Sequence, residues 1–181
     1  MNRRGFGGGP KNMKHLKNIF AVFTLVFALS AAAAAQSKTL VSLDGENINI
    51  DGQKGKVTVL AIGASWLPLS RNQIETVNKL AKKYTDKNVV FYFVATDSAN
   101  AKSKNYASND DLKKFVAKNK LTVATLRDSD GLLTIKSYKI DQLPAFVILG
   151  KDGVIATEPI GGIDPLTDIS VKLSQIIDKN L

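Results

Sequence analysis

Residues 57–62 read Val57-Thr58-Val59-Leu60-Ala61-Ile62, a β-branched and apolar run without a charged or turn-forming residue. A strand with one wet face alternates apolar and polar side chains. This run does not alternate, so it suits a strand covered on both faces, the position of a central strand between helices. Residues 89–95 form a second run of this kind. Between them, over residues 72–84, Ile74, Val77, Leu80 and Ala81 recur at helical spacing while Lys79, Lys82 and Lys83 fall on the other side. Two buried strands joined by an amphipathic helix make a parallel β-α-β unit.

The flanking sequence extends this pattern. Leu43-Asp44-Gly45-Glu46-Asn47 reads as a turn with extended pieces around it, Ile48 and Ile50 alternating after it, which predicts an N-terminal hairpin. Residues 97–109 are rich in Ser, Asn and Lys and read as a loop or short insertion. Ser108 with Asp110 and Asp111 supplies an N-cap and an acidic first turn for a helix carrying Leu112, Phe115 and Val116 up to Lys118. A third strand is expected over 121–126, then a turn at Asp128-Ser129-Asp130-Gly131 and a short helix with Leu132, Leu133, Ile135 and Tyr138. Strands over 145–149 and 154–157, linked by Gly150-Lys151-Asp152-Gly153, form a hairpin. Asp164-Pro165 is expected to open a last helix through Ile169, Leu173, Ile176 and Ile177. The order predicts an α/β fold: a central mixed, mainly parallel sheet flanked by helices, with the N-terminal hairpin and an antiparallel edge.

The N-terminus reads as a targeting segment. Lys11, Lys14 and Lys17 precede an apolar run over 19–29, then Ser30 and alanines at 31–35. Ala33 and Ala35 fit an A-x-A site, so a Sec signal peptide over 1–35, cleaved between Ala35 and Gln36, is expected, with Met1 or Met13 as the start. The domain then spans 36–181, is periplasmic or secreted, and keeps no stable membrane span after cleavage. The formal charge of +9 overstates its basicity: of 25 basic residues five precede residue 36, leaving 20 against 16 acidic ones. The lysines are scattered among acids with no aromatic interleaving, which argues against nucleic acid as a partner.

Two absences restrict the chemistry. The chain has no Cys, and its one His, His15, lies within the signal. It has no Cys/His set for a zinc, iron–sulfur or haem site, and no cofactor is expected. Cys–His and Ser–His nucleophile pairs are excluded in the mature part. Asp128, Asp130 and Gly131 lack the length and late Glu of a calcium loop and read as a turn and helix cap. Hydrolysis through carboxylates such as Asp97 or Asp141 has no spacing motif behind it.

Three stretches together resemble the thioredoxin superfamily, in its TlpA-like and AhpC/TSA redoxin branch, over about residues 38–178. They are Gly55-Lys56-Val57-Thr58-Val59-Leu60 followed by Ala64-Ser65-Trp66, then Leu143-Pro144-Ala145-Phe146-Val147-Ile148 with Asp152-Gly153, and Gly161-Gly162. The resemblance implies a thioredoxin-like fold, a Trp-Cys-x-x-Cys motif after the first buried strand, and a cis-proline at Pro144 facing that motif.

The chain departs from the pattern at the chemistry. It reads Trp66-Leu67-Pro68-Leu69-Ser70-Arg71, so the resemblance puts Leu67 at the nucleophilic cysteine and Ser70 at the resolving one. Thiol–disulfide exchange and peroxide reduction both need a thiolate. Leu67 has no heteroatom, and Ser70 has no His to act as its base. The resemblance therefore implies a domain that has lost redox turnover, while a peptide groove at Trp66, Leu143 and Pro144, with Leu67 and Leu69 as an apolar lip, needs no thiol. The expected function is a binding or scaffold module with a protein or peptide partner in the cell envelope. The alternative is a thiol-disulfide oxidoreductase or antioxidant redoxin of the family type. Trp66 suits either substrate contact or support of the strand–helix junction, and Pro68 suits the first turn of a helix.

Overall fold

The computed structural model describes Met1 and residues 38–51, 53, 55–164 and 166–181. The signal peptide expected over 1–35 lies outside the described residues, apart from Met1, and so does Pro165. A compact unit spans Ser37–Leu181. Its strands are β1 (Thr39–Ser42), β2 (Asn47–Asn49), β3 (Val57–Gly63), β4 (Val89–Ala95), β5 (Ala124–Arg127) and β6 (Ala145–Leu149). Its helices are α1 (Ser70–Lys83), α2 (Asn109–Lys118), α3 (Thr134–Tyr138) and α4 (Ser170–Asn180).

One six-stranded sheet has the order β2-β1-β5-β4-β3-β6. β3 runs parallel to β4, and β4 parallel to β5, while β6 is antiparallel to β3 and β1 antiparallel to β5. Every residue of β3 is buried. Its side chains alternate between two cores, as a doubly covered strand requires. Val57, Val59 and Ala61 pack with Ile74, Val77 and Leu80 of α1, Leu112 of α2, and Leu173 and Ile177 of α4. Leu60 and Ile62 face the opposite way, among Leu40, Val94, Leu126 and Tyr138. Three helices thus cover one face, and the short α3 covers the other.

The expected hairpin is present as β1 and β2. The cap before α2 is a full capping box: Ser108 Oγ accepts the Asp111 N–H at 3.1 Å, and Asp111 accepts the Ser108 N–H at 3.1 Å. Three boundaries differ from the sequence reading. The third strand begins at Ala124 rather than Leu121, because Thr122 is tied to α1 instead, its N–H and hydroxyl both donating to Asn78 Oδ1. Residues 154–157 form no strand. Single bridges join Ile155 to Leu149 and Ile160 to Phe146, and the chain between them holds Pro159, which has no N–H for a ladder. The last helix starts at Ser170, not at Asp164. Asp164 is used in a local turn, accepting the Leu166 N–H and the Thr167 hydroxyl, and Asp168 accepts the Ser170 N–H at the true helix start.

Candidate functional site

The parallel strands β3, β4 and β5 all end at one edge of the sheet, and β6 begins there. Four connections therefore meet: residues 64–69, 96–108, 128–133 and the segment leading into β6. Hydrogen bonds knit them. Thr96 N–H and its hydroxyl donate to Gly63 O at 2.8 and 2.9 Å, and Asp128 N–H donates to Ala95 O at 3.0 Å. Asp97 is fully buried and receives Ser65 N–H on both carboxylate oxygens, at 3.1 and 3.0 Å, as well as the Ser65 hydroxyl. A carboxylate so occupied is a structural anchor for the turn after β3. Asp141, the other acid considered for hydrolysis, is exposed.

The turn itself is tight. Leu67 N–H donates to Ala64 O at 3.2 Å, Ser70 N–H to Leu67 O at 3.1 Å, and Arg71 N–H to Pro68 O at 3.4 Å. Trp66 is 49% exposed, Pro68 and Arg71 are exposed, and Leu67 and Leu69 are half-buried. Ser70 is the first residue of α1 and is 0% exposed. Its Oγ accepts the Ala64 N–H at 3.2 Å, which closes the turn from the inside. Gly63 makes this packing fit: a Cβ there would lie 2.8 Å from Ser70 Oγ and 2.6 Å from Gln73 Oε1.

The Leu143–Pro144 peptide bond is cis. Pro144 is buried and Leu143 half-buried. Ala145 pairs with Ile62, so the register carries Pro144 to the level of Gly63, next to the turn. The structure thus brings Trp66, Leu67, Ser70, Leu143 and Pro144 to one end of β3. Gly161 lies close against the residue before this segment, where a Cβ would come within 2.7 Å of Gln142 O. Tyr106 and Leu132, both exposed, stand on connections at the same edge.

Gln73, Asp97 and Asp128 escape notice in the sequence as residues of this edge. Gln73 is 0% exposed, and its Nε2 donates to Ala145 O at 2.8 Å and to Ile62 O at 3.3 Å. Asp128 accepts the Leu133 and Thr134 N–H groups and the Thr134 hydroxyl, capping α3. That cap is the use expected of the Asp128 turn. Among the described residues no group of three or more His, Cys, Asp or Glu side chains could hold a metal ion.

A mixed sheet with this strand order, covered by helices on both faces and with a turn-to-helix junction beside a cis-proline, defines a thioredoxin-like domain. The chain belongs to the AhpC/TSA family, whose model matches residues 31–158. It is similar to a thiol-disulfide oxidoreductase ResA of Bacillus cereus, 27% identical over 127 residues that cover 70% of this chain and 68% of that one. The thioredoxin-like protein YneN of Bacillus subtilis (strain 168) is 29% identical over 123 residues, 68% of this chain and 67% of that one. Among solved structures, StoA from Bacillus subtilis matches with a TM-score of 0.60 at 23% identity, over 80% of this chain and 98% of its own. A secreted Mycobacterium tuberculosis disulfide oxidoreductase homologous to E. coli DsbE matches with a TM-score of 0.59 at 23% identity, over 79% and 96%. These structural likenesses establish the fold.

Proposed function

We propose that this protein is an exported thioredoxin-like scaffold that holds an extended protein segment at the 66–71 turn and the Leu143–Pro144 segment, without redox turnover. The observation that carries the reading is the state of the turn. The position assigned to the nucleophile is Leu67, which has no heteroatom, and the position assigned to the resolving thiol is Ser70, whose hydroxyl is fully buried and holds the Ala64 N–H. Trp66 meanwhile remains half-exposed beside this closed turn. An aromatic face and an apolar lip suit an extended chain and need no thiol. Export is supported by the signal pattern before Gln36 and by the secreted Mycobacterium relative.

The family and the curated relatives together favour a second reading, a thiol-disulfide oxidoreductase or antioxidant redoxin. Against it stands the absence of any cysteine in this chain, so a thiolate would have to come from another molecule.

The test of the scaffold reading uses carboxymethylated α-lactalbumin, a permanently unfolded chain that exposes its apolar segments, as the probe. The domain is expected to bind it, and Trp66→Ala to weaken that binding at least about tenfold, the effect of losing one buried aromatic anchor. Equal binding by both forms would contradict the site. Intact mass of the exported form is expected to give Gln36 as its first residue; a mass retaining residue 1 or 13 would contradict cleavage.

A further inference from the structure

Ile62 and Ala145 are the last pair of the β3·β6 ladder. Beyond them the ladder stops: the Gly63 carbonyl accepts from Thr96 on the other side of β3, and the Ala64 N–H, next in line, donates to Ser70 Oγ instead. Strand ends fray when nothing follows them, and this end is the one beside Trp66 and Ser70. Gln73 reaches it from the first turns of α1, and its single amide nitrogen donates to both carbonyls of the terminal pair, at 3.3 Å to Ile62 and 2.8 Å to Ala145. The other half of the amide has no partner: Oε1 is buried and unbonded. An orphaned buried acceptor is a cost that an apolar side chain in the same volume avoids. The amide is therefore poorly explained as a contribution to global stability and well explained as a local fastening.

We infer that Gln73 is the positioning residue of this edge: its amide staples the open end of the β3·β6 ladder to α1 and so fixes the Leu143–Pro144 segment relative to the 64–69 turn. The consequence for a bound segment rests on the scaffold reading above. The stapling itself is a property of the free protein and is measured without any ligand.

Gln73→Met keeps the length and apolar bulk of the side chain and removes the donor. Hydrogen exchange of the full domain is expected to show protection at the Ile62 and Ala145 amides falling about tenfold or more, the loss of one to two hydrogen bonds, while the Val59 and Phe93 amides in the sheet centre keep theirs. Acrylamide quenching of Trp66, the one tryptophan of the chain, is expected to rise with it. Unchanged protection at Ile62 and Ala145 would overturn the inference, and so would an equal fall at all four amides. Gln73→Glu gives an independent answer should the Met variant not fold. A carboxylic acid has a proton to donate and a carboxylate has none. Protection at Ala145 is then expected to be high at acid pH and lost on ionisation, and a pH-independent value would contradict the stapling. Binding of carboxymethylated α-lactalbumin is measured alongside. Absence of binding by the unaltered protein removes the scaffold reading, and the exchange data still decide the role of Gln73.

Discussion

Asp97 and Ser65 are 32 positions apart in the chain, yet both carboxylate oxygens of the buried Asp97 receive the Ser65 N–H. This contact sets the turn after β3 on the connection after β4. Replacing Asp97 with Ala leaves the Ser65 amide and hydroxyl without their acceptor. Hydrogen bonds to charged groups are worth about 1.5–3 kcal/mol, so Asp97→Ala is expected to lower unfolding free energy by about 2 kcal/mol or more. Urea denaturation measures it, and a change below about 0.5 kcal/mol would mean that the turn is held by other contacts.

Gly63 admits no side chain. A Cβ would press on Gln73 Oε1, Ser70 Oγ and Phe93 at 2.6, 2.8 and 3.3 Å. Gly63→Ala is expected to destabilise by about 1–3 kcal/mol, the range for overpacking a filled core. An unfolding midpoint equal to that of the parent would show that Ser70 and Gln73 move aside freely.

The Lys79 ammonium donates to Asp168 at 2.7 Å and, with the Ser170 hydroxyl and amide, holds the Asp168 carboxyl down at about 2 from its ordinary 3.8. A carboxyl depressed in the folded state stabilises fully above its unfolded pKa and loses that contribution as pH falls through the folded one. The window therefore runs from about pH 4 down to about pH 2. Asp168→Asn is expected to flatten the pH dependence of the urea midpoint inside this window and to leave the slope above pH 5 unchanged. An identical acid limb in both proteins would contradict the pairing.

Much of the fold was legible because its elements are local. The doubly buried run of β3, the amphipathic face of α1 and the Ser108–Asp111 box are each complete within a few residues. The failures lie where the fold and not the local sequence decides, as where Thr122 is tied to Asn78 of α1 instead of extending β5. Asp164 and Asp168 both look like helix caps, and only the fold decides that the first closes a turn and the second precedes α4. Residues 154–157 have strand-like composition, but Pro159 and the short bridges at Ile155 and Ile160 leave them outside the ladder. At the site, Trp66, Ser70, Leu143 and Pro144 were found through the resemblance. Gln73 and Asp97 were not, because their partners lie 72 and 32 residues away and no short motif announces them.

Leu67 and Ser70 are three positions apart, with Ser70 N–H bonded to Leu67 O at the start of α1. The double variant Leu67→Cys with Ser70→Cys is expected to form a reducible intramolecular disulfide, detected by a thiol count before and after mild oxidation. The thiol replacing Leu67 is expected to titrate below the free value of about 8.5, through the partial positive charge of the helix N-terminus. A folded variant that never closes the bond would show that the turn has drifted from a disulfide geometry.

On the scaffold reading proposed above, the fold has outlived its chemistry, and turnover by the unaltered protein decides it. Insulin disulfide reduction with dithiothreitol as the electron donor, run on protein cleared of contaminating thioredoxin, is expected to proceed at the rate of buffer with dithiothreitol alone, because the protein has no thiolate of its own to attack sulfur. A rate that rises in proportion to the amount of this protein would contradict the account.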